Sequence, residues 1–221
     1  MSTDSFKTAC SEYRFLRERE YPEKAALKIV SDKHRLSRQE RNCLFRGIMS
    51  PAVAEARMKR IVAAASVAGR ALGIDWYNVL ITVESYLHGH AVFTCDDGMM
   101  RDVAAAHGSY RASAVTAAAI AAIAGAVRSL APSRVDAFVD SPIAYSMTMG
   151  EEARRALGSA GVPTEVVLVH SADYPLKTYS GIVASSDSVV LDAAAEAFDL
   201  ARHALAGAYR FIPPRVGDLF P

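Results

Sequence analysis

The chain has 221 residues, of which 51% are hydrophobic and 22% are charged, with 13 Gly and 9 Pro. This composition is typical of an ordinary globular protein, and it excludes disordered, collagen-like and coiled-coil chains. The three cysteines, Cys10, Cys43 and Cys95, are odd in number, far apart in the sequence and without a CxxC pair. That usage argues against a disulfide framework or a structural zinc site and favours a reducing compartment. We therefore expect a cytoplasmic protein.

No part of the sequence has the pattern of a membrane anchor. The chain does not open on a basic region followed by an apolar stretch, so we predict no signal peptide. The longest uncharged apolar run, residues 112–127, has 16 residues and is rich in alanine. It is too short to span a bilayer and predicts a buried helix instead. We expect no membrane partner.

The charge is distributed unevenly along the chain. Residues 1–60 hold 14 Lys and Arg against 8 Asp and Glu, a net charge of +6, whereas residues 61–221 hold 11 against 16, a net charge of −5. Two interpretations of the basic front segment stay open. It is either a solvated helical surface or a face that contacts phosphate.

The first sixty residues have the pattern of several short helices. Pro22 suits the first position of a helix, and Ser37 with Glu40 forms a capping box before a helix that we expect to end at Gly47. Ser50 and Pro51 mark the start of another helix. A helix-turn-helix would fit this pattern, but no recognition helix can be identified. We predict a small basic helical segment over residues 1–60.

Strands alternate with helices from residue 61 to residue 207. Alternation of this kind is typical of a mostly parallel sheet with helices on both faces. We predict the α/β class, a three-layer sandwich with a mostly parallel sheet, preceded by the small helical segment and followed by an irregular tail over residues 208–221. The predicted strands are 71–74, 91–94 (an edge strand), 135–139, 165–169 and 182–184, and the predicted helices are 78–87, 112–130, 151–157 and 188–206.

Three of the predicted strands run into an aspartate, namely Asp75, Asp140 and Asp187. In open parallel sheets, ligands bind outside the carboxyl ends of the strands. Carboxylates that converge there repel one another, and Mg²⁺ or Mn²⁺ relieves the repulsion. We predict a metal site for the attack of water on a phosphoryl group. The alternative for each aspartate is that it caps the helix that follows.

Two short segments resemble PIN-like nucleases, in particular the NYN branch. In residues 72–80 a strand runs into Asp75 and then Asn78, which looks like the opening of that fold, and residues 183–188 are similar to its late strand-end (T/S)SD segment. A second resemblance, to a prokaryotic family catalogued as domain of unknown function 434 with a PIN-like C-terminal part, covers roughly residues 10–205. It is carried by residues 21–27, 36–42, 95–98 and 140–142.

The PIN resemblance implies a Mg²⁺- or Mn²⁺-dependent endoribonuclease with Asp75, Asp140 and Asp187 as acidic ligands. Asn78 would orient the first of them. The link between the strands ending at 169 and starting at 182 is short and contains Pro175, so we expect its helix to be lost and Asp173 to lie on a loop. The candidates that complete the metal shell are Glu84, Asp97, Asp102 and Asp173, and the candidates that contact phosphate are Arg101, Arg111, Lys177 and Ser186.

Two alternatives to the nuclease stay open. A non-catalytic RNA-binding or regulatory protein would keep the fold and the basic front segment. A haloacid-dehalogenase-type phosphatase would use Asp75 as a covalent nucleophile, with Lys177 and Asp187 beside it. That family, however, has a second aspartate at the position of Tyr77. PIN-like folds often pair, so we also expect a homodimer, by analogy alone.

Three further features of the sequence have possible binding roles. Trp76 and Tyr77 could stack a base, with one of the two packing under the sheet. His88 and His90 could be metal ligands, although histidines around a glycine in a turn are more often surface residues. Residues 107–111 could hold a phosphate where we expect the long alanine-rich helix to open.

Overall fold

A computed structural model of the chain describes residues 3–103 and 110–220. The helices in this part of the chain are α1 (Thr3–Glu18), α2 (Glu23–Lys33), α3 (Arg38–Gly47), α4 (Pro51–Met58), α5 (Trp76–Leu87), α6 (Thr116–Leu130), α7 (Ser146–Gly158), α8 (Asp173–Lys177), α9 (Ser188–Ala193) and α10 (Leu200–Tyr209). The strands are β1 (Ala71–Asp75), β2 (Val92–Thr94), β3 (Met100–Asp102), β4 (Arg134–Asp140), β5 (Thr164–Val169) and β6 (Ile182–Ala184).

These elements form two compact units. The first unit comprises Met1–Lys59, Gly89–Ala105 and Pro213–Pro221, and the second comprises Arg60–His88 and Ala106–Ile212. The boundaries at residues 60 and 207 that the sequence suggests stay a prediction of domain organisation. Among the described residues, no helix is long and apolar enough to cross a membrane.

The helices of the first unit begin and end at the residues that local chemistry favours. The Ser37 hydroxyl accepts a hydrogen bond from the backbone N–H of Glu40 at 3.3 Å, and the Glu40 carboxylate accepts one from the backbone N–H of Ser37 at 2.7 Å. The predicted capping box and the end of α3 at Gly47 are therefore confirmed. Pro22 lies one position earlier than predicted, as the N-cap of α2.

The core of the first unit gathers residues that are distant in sequence. Phe6 and Tyr13 of α1 pack with Leu44 of α3, Phe93 of β2 and Val216 near the C-terminus. The same cluster contains all three cysteines, which are buried and carry free thiols. Burial raises the pKa of the Cys10 thiol to about 12, so this thiol stays protonated and behaves as a small apolar core group.

The predicted edge strand at residues 91–94 is a strand, but it belongs to a hairpin of the first unit. Strand β2 pairs antiparallel with β3, and the two form a sheet of their own. Gly98 allows the tight turn between them because its φ is 83°, a conformation that residues with a side chain rarely adopt. The predicted place of this strand in the main sheet was therefore wrong.

The second unit is built on a parallel sheet with the strand order β5-β4-β1-β6. The chain runs outward from β1 to β4 and β5 and then returns to β6 on the other side of β1. Helices α8 and α9 pack on one face, where Leu176 and Val190 meet Phe138 and Val183. Helices α5, α6, α7 and α10 pack with one another. The predicted α/β class with a mostly parallel sheet is confirmed, and the arrangement is consistent with a three-layer sandwich.

The predicted helix at 188–206 is two helices, α9 and α10, separated by an extended segment. In that segment the N–H of Phe198 donates to the carbonyl of Val183, and the N–H of Val62 donates to the carbonyl of Ala197. The segment therefore adds to the sheet beside β6, and these tertiary bonds override the helix propensity of an alanine-rich sequence. Helix α10 then starts afresh with Asp199 as its N-cap.

Two helix starts also differ from the prediction. The long alanine-rich helix begins at Thr116, four residues after the predicted start at residue 112. A helix does form between β5 and β6, because Pro175 is the third residue of α8, where a backbone N–H would have no partner within the helix. Asp173 therefore opens a short helix and does not lie on a loop.

Candidate functional site

The centre of the candidate site is Asp75, at the carboxyl end of the central strand β1 and the N-cap of α5. Its side chain is buried, with 3% exposure. One carboxylate oxygen accepts the backbone N–H of Asn78 at 3.3 Å, and the other accepts the hydroxyl of Ser185 at 2.8 Å. These bonds hold the carboxylate rigidly at the edge of the sheet.

The electrostatic environment of Asp75 disfavours its charge. The pKa of Asp75 is raised from 3.8 to about 7, chiefly by burial and also by the negative charges of Asp140 and Asp173, although the bonds from Ser185 and Asn78 act to lower it. No ion pair to Asp75 or Asp140 occurs among the described residues. The carboxylate is therefore buried next to like charges without an arginine or lysine to balance it.

Asp140 and Asp173 reach the same edge from neighbouring elements. Asp140 is the last residue of β4 and is partly buried. Its carboxylate accepts the backbone N–H of Ala172 at 3.0 Å, which ties the end of β4 to the start of α8. Asp173 is the next residue in that connection. Of the three strand-end aspartates that the sequence predicts to converge, Asp75 and Asp140 lie close enough for their charges to interact, and the charge of Asp173 also acts on Asp75.

The segment after β6 forms hydrogen bonds that stabilise this edge of the sheet. The amide oxygen of Asn78 accepts both the backbone N–H of Ser186 at 2.8 Å and its hydroxyl at 3.0 Å. Asn78 therefore orients Asp75 through its backbone N–H, and its side-chain oxygen is occupied by the buried Ser186. The carboxylate of Asp187 accepts the backbone N–H of Val189 at 2.8 Å and caps α9, which is the alternative role considered for a strand-end aspartate.

Two predicted site residues form an ion pair with each other: Asp97, a predicted metal ligand, and Arg101, a predicted phosphate contact. Both lie in the first unit, where Arg101 donates to the two oxygens of Asp97 at 2.9 and 2.7 Å. Arg57 adds a third bond to Asp97 at 3.3 Å. Although Asp97 is fully buried, the two arginines hold its pKa below the ordinary value. Asp102, also in the first unit, pairs with Arg46 at 3.4 Å.

Glu84 accepts hydrogen bonds from two hydroxyl groups near the start of α6. It lies on α5 and is buried, and its carboxylate accepts hydrogen bonds from the hydroxyls of Tyr110, at 3.0 Å, and Thr116. Burial raises its pKa. The predicted role of Glu84 in completing a metal shell has no support from these contacts, which instead join α5 to the start of α6.

The remaining candidates lie on the surface of the second unit or outside the described residues. Lys177 is exposed at the end of α8. Arg111 is exposed five residues before α6, so it does not open that helix as predicted, and His107 lies outside the described residues. His88 is exposed and bonds to the hydroxyl of Ser113 at 3.0 Å. Trp76 and Tyr77 are both fully buried.

The donors present suit a hard cation that keeps part of its water shell. Among the described residues, no group of three or more His, Cys, Asp or Glu side chains is arranged to hold a metal ion by itself. Mg²⁺ is usually bound by one or two carboxylates, with waters and substrate phosphates completing the shell. The carboxylates of Asp75 and Asp140 fit that requirement, and a bound cation would balance the negative charge of Asp75.

Sequence reasoning missed Ser185 at this edge and Tyr145 in the connection that follows β4. Ser185 is the first residue after β6 and donates directly to Asp75. Tyr145, in the connection from β4 to α7, is 82% exposed and has a φ of 62°. The position of Ser185 after a strand could have indicated its role, whereas nothing in the local sequence marks Tyr145.

The fold and the site define an α/β protein with several carboxylate side chains at the carboxyl edge of a parallel sheet. The chain belongs to the family described as Domain of unknown function (DUF5616), whose family model matches residues 64–203. Residues 5–60 match the family described as Protein of unknown function (DUF434). The resemblance to the latter family is confirmed for the front segment, but the match does not extend to residue 205 as predicted.

One relative is similar over most of the chain. It is a protein of Methanocaldococcus jannaschii described as "Uncharacterized protein MJ0935", 26% identical over 187 residues that cover 85% of this chain and 89% of the relative. No solved structure matches the chain. Neither family description refers to PIN or NYN nucleases.

Proposed function

We propose that this protein is a Mg²⁺- or Mn²⁺-dependent endoribonuclease with a PIN-like acidic site at the carboxyl edge of β1 and β4. The proposal is carried by one contrast between two buried aspartates. Asp97 is neutralised by Arg101 and Arg57, whereas Asp75 is opposed by Asp140 and Asp173. Burying a charge without a partner is costly. A bound cation is the partner that would make the arrangement at Asp75 favourable.

In this proposal each residue has a separate role at the edge. Asp75 and Asp140 would hold the cation, and Asp173 would add negative charge beside it. Ser185 and the backbone N–H of Asn78 keep the Asp75 carboxylate in one orientation. A cation bound here would supply an activated water and neutralise the charge that develops on the phosphoryl oxygens. Asp187 caps α9 and is left outside this set.

The phosphatase alternative is disfavoured by the residue at position 77. That family has its second aspartate there, whereas this chain has Tyr77, which is fully buried. A covalent nucleophile and a metal ligand must both present an oxygen of Asp75, so the hydrogen bonds that Asp75 accepts do not separate the two roles.

The basic front segment contributes less free positive charge than its sequence suggests. At least nine of its fourteen basic side chains form ion pairs within the first unit, which favours a solvated and internally paired surface. These are Lys7, Arg14, Arg17, Arg19, Lys28, Lys33, Arg46, Arg57 and Lys59. We therefore base the RNA proposal on the acidic edge of the second unit.

The test is Mn²⁺ titration by calorimetry into wild-type protein, Asp75→Asn and Asp187→Asn, followed by cleavage of single-stranded and structured RNA with Mn²⁺ or EDTA. We expect Asp75→Asn to lose both Mn²⁺ binding and cleavage. Asp187→Asn is the matched control: asparagine is as good an N-cap as aspartate, so this variant should keep both. Far-UV circular dichroism checks that each variant is folded.

Three outcomes would each contradict part of the proposal. Cleavage retained by Asp75→Asn would remove Asp75 as a ligand. Loss of cleavage in Asp187→Asn with retained helix content would return Asp187 to the metal shell. Mn²⁺ binding and RNA binding without any cleavage would favour the non-catalytic RNA-binding protein. The predicted homodimer is a separate question, and sedimentation equilibrium would answer it.

A further inference from the structure

A cavity of about 330 Å³ lies within the second unit, between the segment before α6 and the start of α7. This volume is at the lower end of the range for sites that hold small organic molecules. Three tyrosine rings dominate its walls, and charged and polar groups lie among them. The principal lining residues are Tyr77, Tyr110, Arg111, Tyr145, Thr148 and Glu152.

The cavity shares two structural elements with the acidic edge. Tyr77 follows Asp75 by two residues on α5, and the connection that leads from Asp140 to α7 contains Ala144 and Tyr145, which both line the cavity. Tyr77 therefore belongs both to the helix that begins at the acidic edge and to the cavity wall.

Two features of the cavity do not stabilise the fold. The hydroxyl of Tyr77 is buried without a hydrogen-bond partner in the described part of the chain, which is costly for a polar group. Tyr145 is 82% exposed and has a φ of 62°. Non-glycine residues rarely adopt this left-handed conformation, and it concentrates at functional sites. The cavity thus has a buried hydroxyl without a partner among the described residues, on Tyr77, and an exposed ring on a strained backbone position, at Tyr145. Both features indicate a ligand.

We propose that this cavity holds one unpaired nucleobase of the RNA whose phosphodiester lies at the acidic edge. The inference rests on the proposed nuclease function and specifies its substrate. Aromatic side chains bind bases by stacking, which requires an unstacked base and therefore a single-stranded segment. Tyr145 is the exposed ring that stacks on the base. The rings of Tyr77 and Tyr110, whose centroids are 5.0 Å apart, form the wall.

The polar groups of the cavity add a preference among bases. Thr148 and Glu152 are four residues apart on α7, so they lie on the same side of that helix. A carboxylate accepts hydrogen bonds from an exocyclic amino group, such as that of cytosine. Uracil has no amino group, and its single ring N–H is flanked by two carbonyl oxygens, which a carboxylate repels. The cavity therefore favours adenine, cytosine or guanine over uracil.

The test measures the binding of fluorescein-labelled hexaribonucleotides of adenylate, cytidylate and uridylate by anisotropy, in Ca²⁺ to occupy the acidic edge with an oxygen-binding cation, and gel electrophoresis checks that no strand is cut. The proteins are wild type, Tyr145→Ala, Glu152→Gln and Tyr174→Ala. Tyr174 is the matched control because it is a comparably exposed tyrosine, at 84%, that does not line the cavity. A hexamer with one 2-aminopurine reports stacking directly, because stacking on an aromatic ring quenches the fluorescence of that base.

We expect wild type and Tyr174→Ala to bind adenylate and cytidylate more tightly than uridylate. Tyr145→Ala should bind the first two about 5- to 100-fold more weakly, which is the range for removing one stacking ring, and should lose the quenching of 2-aminopurine. Glu152→Gln should keep the quenching and reduce the discrimination against uridylate. Equal affinities for all three hexamers, or no binding of any hexamer by wild type, would overturn the proposal, as would an unchanged affinity in Tyr145→Ala.

Mn²⁺ calorimetry on the same proteins separates this inference from the proposed function. Tyr145→Ala should bind Mn²⁺ as wild type does, because Tyr145 is not among the carboxylates. Base preference without Mn²⁺ binding would support the cavity as a base-binding site and contradict the proposed nuclease function. Mn²⁺ binding with no effect of Tyr145→Ala would leave the metal site and remove the base site.

Discussion

The pKa of Asp75 makes a quantitative prediction about stability. The carboxyl titrates near 3.8 in an unfolded chain and at about 7 in the folded protein. Between these values the folded state holds a proton that the unfolded state has released, so the free energy of unfolding falls as the pH rises through this window. Each pKa unit corresponds to about 1.4 kcal/mol, so the full cost of charging Asp75 reaches up to about 4 kcal/mol above pH 7.

Replacing Asp75 with asparagine removes this penalty. Asp75→Asn cannot ionise, yet its side chain can still accept the backbone N–H of Asn78 and bond to Ser185. We therefore expect the variant to be less dependent on pH than wild type between pH 4 and 7 and more stable than wild type at pH 8. Saturating Mn²⁺ should reverse that order, because only wild type offers the cation a carboxylate at this position.

The assay is urea unfolding at several pH values between 5 and 8 in EDTA, followed by tryptophan fluorescence. The single tryptophan, Trp76, is fully buried and next to Asp75, so it reports on the second unit. Asp187→Asn is the control: it keeps a good N-cap at α9 and removes no ion pair among the described residues, so it should follow the wild-type pH profile. Parallel pH profiles for wild type and Asp75→Asn would refute the argument that Asp75 is buried without a counter-charge.

Three further predictions concern the fold. Arg101→Met leaves Asp97 buried with only Arg57 and should destabilise the first unit by about 3–5 kcal/mol, as measured by urea unfolding followed by circular dichroism. Ser37→Ala removes the capping-box hydroxyl of α3 and should cost about 1 kcal/mol in the same assay, so no loss would mean that the box is redundant. Gly181→Ala should cost about 1–3 kcal/mol because its Cβ would lie 2.4 Å from the carbonyl oxygen of Ala71. Its control, Gly125→Ala in α6, has open space around the new Cβ and should be neutral or stabilising by up to about 1 kcal/mol.

Local patterns in the sequence were sufficient to predict most element types. The Ser37 capping box, the start of α4 at Pro51 and the apolar run that becomes β1 act through neighbouring residues, so the sequence carries their signals directly. The positions of Asp75 and Asp140 at the carboxyl edge were also predictable, because each residue ends a strand of a parallel sheet.

Predictions failed where a distant segment offered a better partner for the backbone or the charge. Residues 195–198 leave the predicted helix because Val183 and Val62 supply backbone bonds. Strand β2 pairs with β3 and not with the main sheet. Asp97 has the same residue type and a similar loop setting as the other candidates, but Arg57 and Arg101 neutralise it.

By itself, the sequence determined the α/β class, the helical front segment and the set of carboxylates from which a site could be made. Only the tertiary structure decided that Asp75 and Asp140 share an edge and form no ion pair among the described residues, because that depends on strand order and on which arginines reach each aspartate. Arg14, Arg46 and Arg57 belong to the basic front segment, yet they pair with Asp96, Asp102 and Asp97 from a later part of the chain. Asp75 has no such pair in the described residues, and folding therefore distinguishes it from aspartates that look equivalent in the sequence.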